Sequence, residues 1–278
     1  MPELAEVEAY RRLATRAVGR PIAEVLAPDG WYLKRGLTAV ALAAAIEGRQ
    51  FTTARRVGKV LLLDTDGDGP VLGLRFGMSG RLLLVGATGS ARDLEKWDRF
   101  GIRFTDGGDI RIRDPRRLGG VELDPDEARL GPDALDLSRA ALAKVVASSR
   151  APLKARLMDQ ARVAGIGNLA VDEALWRAGL DPARPAGSLT PNELRRLHRH
   201  LLGTLRDLIE RGGSHAGDLM AERRTGGACP KDGAPLIRRT VGGRTTWSCP
   251  VHQNLTPSQP DLACETGRHQ TLSHARTL

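Results

Sequence analysis

Cysteine is scarce in this 278-residue chain, and its three copies, Cys229, Cys249 and Cys264, all fall near the C-terminal end. So few thiols, so placed, exclude a disulfide scaffold. Long apolar runs are missing as well: nothing approaches the roughly 18 consecutive apolar residues of a membrane span, so no membrane partner is expected. The opening Met1-Pro2-Glu3-Leu4-Ala5-Glu6-Val7-Glu8 is acidic, unlike the basic start of a secretory signal, and a cytoplasmic protein is expected. Aromatic residues are few, at 4%, although the hydrophobic share of 41% is ordinary for a globular protein.

Basic residues are in excess. Lys and Arg number 42 against 33 Asp and Glu, a formal charge of +9, which favours a polyanionic partner, nucleic acid foremost. The length accommodates two domains. Leu4, Val7, Tyr10, Ala14 and Ala17 recur at helical spacing and predict a helix ending near Gly19-Arg20-Pro21, with Glu3 and Glu6 on one face. Strand-like runs follow at Ile22–Leu26, Val60–Leu63, Val71–Phe76, Arg81–Val85, Gly101–Thr105 and Asp109–Arg113, separated by turns such as Asp66-Gly67-Asp68-Gly69-Pro70. Many short strands suggest a sandwich or barrel. After Pro125 helical patterns take over. The clearest begins at Thr190-Pro191-Asn192-Glu193, with Thr190 as N-cap and Glu193 closing a capping box, and stops at Gly212-Gly213. A domain boundary is therefore expected near 125, and the polar, aperiodic tail from 256 is expected to be disordered.

Three local patterns carry chemistry. A small residue at position 2 favours removal of the initiator methionine, which leaves Pro2 as a free secondary amine. Such a terminus titrates well below lysine and is a potential nucleophile toward a carbonyl carbon, with Glu3 beside it as acid and base; helix initiation is the alternative use of a proline here. Second, Gly165-Ile166-Gly167-Asn168 lies between helical stretches, where backbone amides and the Asn168 side chain can hold a phosphate, or where the glycines simply make a tight turn. Lys154 upstream could reach the same phosphates or be solvated. Third, Cys229-Pro230-Lys231-Asp232 and Cys249-Pro250-Val251-His252 flank a hairpin, a spacing that suits zinc as a substitute for a core; without zinc, Trp247 and its apolar neighbours would hold it. Six basic residues, including Arg244, punctuate 221–245 and suit phosphate contacts.

In order along the chain, Pro-Glu-Leu-x-Glu-Val-Glu at the amino terminus, Arg55-Arg56-Val57-Gly58-Lys59, Gly77-Met78-Ser79-Gly80, Asp114-Pro115-Arg116-Arg117-Leu118-Gly119, the Gly-Ile-Gly-Asn turn and the paired knuckles resemble the formamidopyrimidine-DNA glycosylase and endonuclease VIII family of base-excision repair enzymes. The resemblance runs to about residue 253. It implies an α+β multidomain fold: a catalytic β-sandwich flanked by helices over 1–125, a helix–two-turns–helix DNA-binding domain over 126–225, and a zinc-finger-like β-hairpin over 226–255, ahead of the 256–278 tail. It further implies a monomer acting on double-stranded damaged DNA, associated with the nucleoid. Pro2, Glu3, Glu6 and Lys59 would form the catalytic set, Pro2 attacking C1′ to give a Schiff base, followed by β,δ-elimination. Lys59, Lys154, Asn168 and Arg244 would grip phosphates. Met78, Arg116 and Leu118 would fill the gap left by the flipped base, which costs a few kcal/mol to extrude. Core packing of Met78 and Leu118, with a surface salt bridge at Arg116, is the alternative. Zinc would be held by Cys229, Asp232, Cys249 and His252.

Several departures from the family pattern stand out. Ala5 replaces a usual proline, Arg75-Phe76 stands where a histidine-containing strand is common, and Leu118 replaces a usual phenylalanine. Asp232 and His252 occupy knuckle positions, and the connector from Gly213 to Cys229 is too short for the loop that caps flipped 8-oxoguanine in the formamidopyrimidine branch. A preference away from 8-oxoguanine is therefore expected. A damaged-DNA-binding protein without catalysis, and a small keto-acid tautomerase using Pro2, are the competing readings; the second does not suit so long and basic a chain.

Overall fold

A computed structural model describes residues 2–86 and 94–253; Cys264 and the tail from 256 lie outside the described residues. The chain opens with α1 (Leu4–Ala14), followed by β1 (Ile22–Leu26), α2 (Ala39–Ile46), β2 (Phe51–Val57), β3 (Val60–Thr65), β4 (Val71–Arg75), β5 (Arg81–Val85), β6 (Asp98–Phe104), β7 (Asp109–Arg113) and β8 (Gly120–Leu123). These strands form two antiparallel four-stranded sheets, ordered β1-β6-β7-β5 and β2-β3-β4-β8. The period-2 rule explains their packing. Along β6, Phe100, Ile102 and Phe104 are buried while Arg99 and Arg103, at alternate positions, are half-buried. These inward residues share one core with Leu61, Leu63, Leu72 and Leu74 of the facing sheet, which makes the unit a sandwich.

Helices follow: α3 (Arg139–Val146), α4 (Leu153–Met158), α5 (Asn168–Ala178) and α6 (Pro191–Glu210). The expected capping box of α6 is present, with Glu193 N donating to Thr190 Oγ1 at 3.3 Å and Thr190 N donating to Glu193 Oε2 at 2.9 Å. Its apolar stripe of Leu197, Leu201, Leu205 and Leu208 joins a second core with Leu153, Leu157 and Leu175. The chain then forms a hairpin of β9 (Ile237–Val241) and β10 (Arg244–Ser248), backed by a small core of Trp176, Leu219, Trp247 and the two cysteines.

Helix α1 is the joint between the large cores. Leu4 and Ala5 belong to the helical core, whereas Val7 and Ala14 belong to the sandwich. Burying Leu4 completely contributes roughly 2 kcal/mol, which resists fraying and fixes Pro2 and Glu3 at the domain junction. Arg56 crosses the same junction, pairing with Glu8 at 3.3 Å and with Asp133 at 2.5 Å. No helix among the described residues is long and apolar enough to cross a membrane.

Candidate active site and metal centre

Glu3 sits between α1 and α5. Its backbone N–H donates to Glu6 Oε2 at 2.9 Å, closing the first turn of α1, while its carboxylate accepts from Leu169 N at 2.9 Å and Ala170 N at 3.1 Å. The positive end of α5 thus receives an anion from the protein's own terminus. Gly167 makes this approach possible, since a Cβ there would stand 2.0 Å from the Glu3 carboxyl carbon. The expectation that this glycine turn offers its amides to a phosphate is corrected for Leu169 and Ala170, whose N–H groups are taken by Glu3. Asn168, at the start of α5, has a buried Oδ1 with no hydrogen-bond partner among the described residues.

Burial pushes the Glu3 carboxyl above its ordinary range, against the opposing pull of the Lys59 charge and the two amides. Lys59 is the reciprocal case: burial lowers its ammonium, Glu3 raises it, and Arg244 lowers it. Arg244, at the start of β10, is thus within electrostatic reach of Lys59. Pro2 lies between two cavities, of about 510 Å³ and about 210 Å³. The larger is lined by Glu6, Met78 and His215, the smaller by Lys59, Gly77 and Gln160. Glu6 also accepts from Ser214 N and Oγ, both at 2.7 Å, tying the terminus to the turn after α6.

Met78, Arg116 and Leu118 are presented by two loops that one buried carboxylate clasps. Asp114 Oδ1 accepts from Ser79 Oγ at 2.5 Å and Arg116 N at 3.2 Å, and Oδ2 accepts from Gly119 N at 2.9 Å and Tyr32 OH at 3.3 Å. Gly77 lets the loops touch: its φ is +56° and a Cβ there would lie 2.4 Å from the Leu118 carbonyl carbon. Met78 is 42% and Leu118 52% exposed, which excludes core packing for both, and Arg116 is exposed too. Sequence reasoning missed Asp114 and Ser79 as the clasp, although both lie inside the quoted motifs.

Lys154 departs from both readings of it. Its side chain is fully buried, with Nζ 2.8 Å from Asp172 Oδ1 and donating to Thr245 O at 3.1 Å and Thr246 Oγ1 at 2.8 Å. It is neither solvated nor open to a phosphate in this structure. Instead it locks α4 and α5 to the strand carrying Arg244, and Arg223 binds the other oxygen of Asp172 at 2.7 Å.

The two knuckles converge. The candidate ligand atoms of Cys229, Asp232, Cys249 and His252 all lie within 4.8 Å of one another. Lys231 N and Val251 N each donate to the cysteine sulfur two residues earlier at 3.4 Å, and His252 Nε2 meets Trp176 O at 3.0 Å, which turns Nδ1 toward the cluster. This donor set fits a tetrahedral metal ion.

Comparison with known proteins agrees with this architecture. Residues 1–121 match the formamidopyrimidine-DNA glycosylase N-terminal domain and 130–218 the formamidopyrimidine-DNA glycosylase H2TH domain. A formamidopyrimidine-DNA glycosylase of Geobacillus kaustophilus is 36% identical over 90% of this chain and 98% of its own length, and one of Thermus thermophilus is 37% identical over 92% and 100%. A solved structure of Lactococcus lactis Fpg with abasic-site DNA superposes with a TM-score of 0.80 at 28% identity, covering 91% of this chain and 99% of that one. The fold and these relatives define a DNA-binding glycosylase of DNA repair, built from a sandwich and a helix–two-turns–helix domain. The chain belongs to the formamidopyrimidine-DNA glycosylase family.

Proposed function

We propose that this protein is a bifunctional glycosylase and abasic-site lyase that works through Pro2. The observation that carries the reading is the seat of Pro2 between two cavities, with Lys59 lining one and Glu6 the other, and Glu3 adjoining it in the chain. Removal of Met1 frees the Pro2 nitrogen, which attacks C1′ of the everted nucleotide and displaces the base. Glu3, whose carboxyl burial raises above its ordinary range, transfers protons during base loss and elimination. Opening of the C1′–O4′ bond, with O4′ taking a proton, gives the iminium, which acidifies C2′, so β-elimination breaks the C3′–O bond and δ-elimination the C5′–O bond. Lys59, Asn168 and Arg244 contact phosphates, Lys154 serves them indirectly by holding the hairpin, and Met78, Arg116 and Leu118 fill the vacated stack.

Domain limits of 1–125, 126–225 and 226–255 suit this division of labour, and the protein is proposed to act as a monomer. Zinc is the metal proposed for Cys229, Asp232, Cys249 and His252; bound there, it would hold the hairpin closed and take no part in the chemistry. Oxidised bases are the proposed substrates, with 8-oxoguanine not the best of them and ring-opened or further-oxidised purines, oxidised pyrimidines or abasic sites preferred. Supporting this, the short connector is pinned along its length: Ser214 to Glu6, Asp218 N and Leu219 N to Glu173, and Arg223 to Asp172. A segment so tethered is poorly suited to fold over a flipped purine. The test is to compare single-turnover cleavage of 8-oxoguanine:C, oxidised-pyrimidine and abasic-site duplexes, reading the ends on a sequencing gel. Abasic cleavage to β,δ ends that exceeds 8-oxoguanine release is the expected result; equal turnover of the two would defeat the substrate assignment.

A further inference from the structure

Among the described residues seven large apolar side chains are exposed, and Trp31, Met78, Trp97 and Leu118 are four of them. All four belong to the surroundings of one loop, 114–119. Scattered exposed apolar residues are ordinary, whereas a cluster marks a contact surface. Trp97 O accepts from Asp114 N at 2.9 Å, and Met78 and Trp97 line the same cavity as Pro2. Trp31 is 70% exposed.

The segment carrying Trp31 runs along the outer flank of the loop. Asp29 pairs with Arg117 at 2.6 Å, Tyr32 OH donates to Asp114, Lys34 N donates to Val121 O at 2.8 Å, and the Lys34 stem fills the space above Gly120. Lys34 Nζ lies 5.5 Å from the centre of the Trp31 indole and donates to the Trp31 carbonyl at 2.8 Å. Two arginines flank this patch in left-handed backbone, Arg35 at φ 57° and Arg117 at φ 55°, a conformation that costs free energy outside glycine. Each is held by an ion pair, Arg35 with Glu122 at 2.9 Å and Arg117 with Asp29, yet both side chains stay about half exposed. The result is an aromatic face ringed by cations, set on a strained and firmly braced segment.

We infer that Trp31, with Lys34 and Arg35 beside it, contacts the sugar–phosphate backbone of the DNA strand opposite the lesion. The inference rests on the void-filling role given to Met78 and Leu118 under the proposed function. If those side chains enter the stack, the nucleotide under attack lies on the Pro2 side of the loop, and the partner strand passes over the other flank. The cavities that Pro2 lines are bounded on this side by Gly77, Met78 and Pro115 and do not include Trp31. Indole and ammonium together match what that strand offers: apolar sugar faces between evenly spaced anions.

The test uses the full chain and a duplex carrying a reduced, uncleavable abasic site, with hydroxyl-radical footprinting of both strands. Trp31→Ala is expected to weaken binding roughly tenfold, within the range seen when an aromatic contact to nucleic acid is removed. It should erase protection on the opposite strand while protection on the lesion strand persists, and Trp31→Phe should restore most of it. Cleavage of a single-stranded abasic oligonucleotide should match the wild type. Unchanged opposite-strand protection in Trp31→Ala, or an equal loss on single-stranded and duplex DNA, would overturn the inference. Because the duplex is uncleavable, the footprint is readable even if Pro2 proves not to be the nucleophile.

Discussion

Replacing Gly167 with alanine isolates the contact that holds the Glu3 carboxylate against α5. Gly167 has φ −112° and ψ −176°, extended backbone that alanine adopts freely. On backbone grounds alone the change should stabilise by about 0.4–1 kcal/mol, through the unfolded chain. The added Cβ, however, would sit 2.0 Å from the Glu3 carboxyl carbon and 2.3 and 2.4 Å from its oxygens. Glu3 has to move, and it loses the hydrogen bonds from Leu169 N and Ala170 N. Bonds to a charged group contribute about 1.5–3 kcal/mol each. With partial recovery of solvation and the backbone gain set against them, a net loss of about 2–4 kcal/mol follows. At about 2–4 °C per kcal/mol for a chain of this size, Tm should fall by roughly 4–16 °C. The assay is calorimetry on a double-mutant cycle with Glu3→Ala. In the Glu3→Ala background there is no carboxylate to displace, so Gly167→Ala should become neutral or mildly stabilising. An equal loss in both backgrounds, or none in the wild type, would refute the reasoning.

Other consequences follow from the same geometry. Gly77→Ala would press a Cβ onto the Leu118 backbone at a positive φ, so it should shift the loop pair and lower kcat/KM on damaged duplex by roughly 10- to 100-fold while metal content stays unchanged; steady-state kinetics and metal analysis check this. Lys154→Met breaks a fully buried ion pair and should cost about 3 kcal/mol in urea unfolding, the low end of the range for such pairs, because Arg223 still faces Asp172. Glu3→Gln should abolish base excision yet raise Tm near pH 8 and barely change it near pH 4. The sign follows from the raised Glu3 pKa: the folded state holds that proton more tightly, so its stability declines as pH rises from the unfolded pKa through the folded one. A stabilisation that grew toward low pH would contradict it.

Much of the fold was legible because its signals are local. The capping box at Thr190 and Glu193, and the strands β1, β5 and β7, could be read from a few neighbouring residues, and they stand where the pattern placed them. Strand β2 was missed because Arg55 and Arg56 break its alternation; their charges are met by Asp64, Glu127, Glu8 and Asp133, the last three of which lie far away in sequence. Helix α2, an almost wholly apolar Ala39–Ile46, shows no polar face from which a helical period could be read.

The candidate site divides in the same way. Residue types and spacing pointed to Pro2, Glu3 and the knuckles, and the family resemblance added Lys59. What each polar group meets could not be read, because the partners are remote: Glu3 finds α5 across 166 residues, and Lys154 finds Asp172 and the hairpin strand. That is why Lys154, a natural phosphate ligand in the sequence, turns out to be an internal brace. The backbone amides that looked free for phosphate are likewise occupied by the protein's own carboxylate.

The central claim is that the Pro2 nitrogen is the nucleophile. It is tested most directly by borohydride reduction of the protein on an abasic-site duplex, followed by peptide mapping of the cross-link by mass spectrometry. The account predicts a covalent adduct located on the amino-terminal peptide at Pro2, reduced by Pro2→Gly and absent when the terminus is blocked. A cross-link mapping to Lys59 or another lysine, or tight binding with no adduct at all, would contradict it.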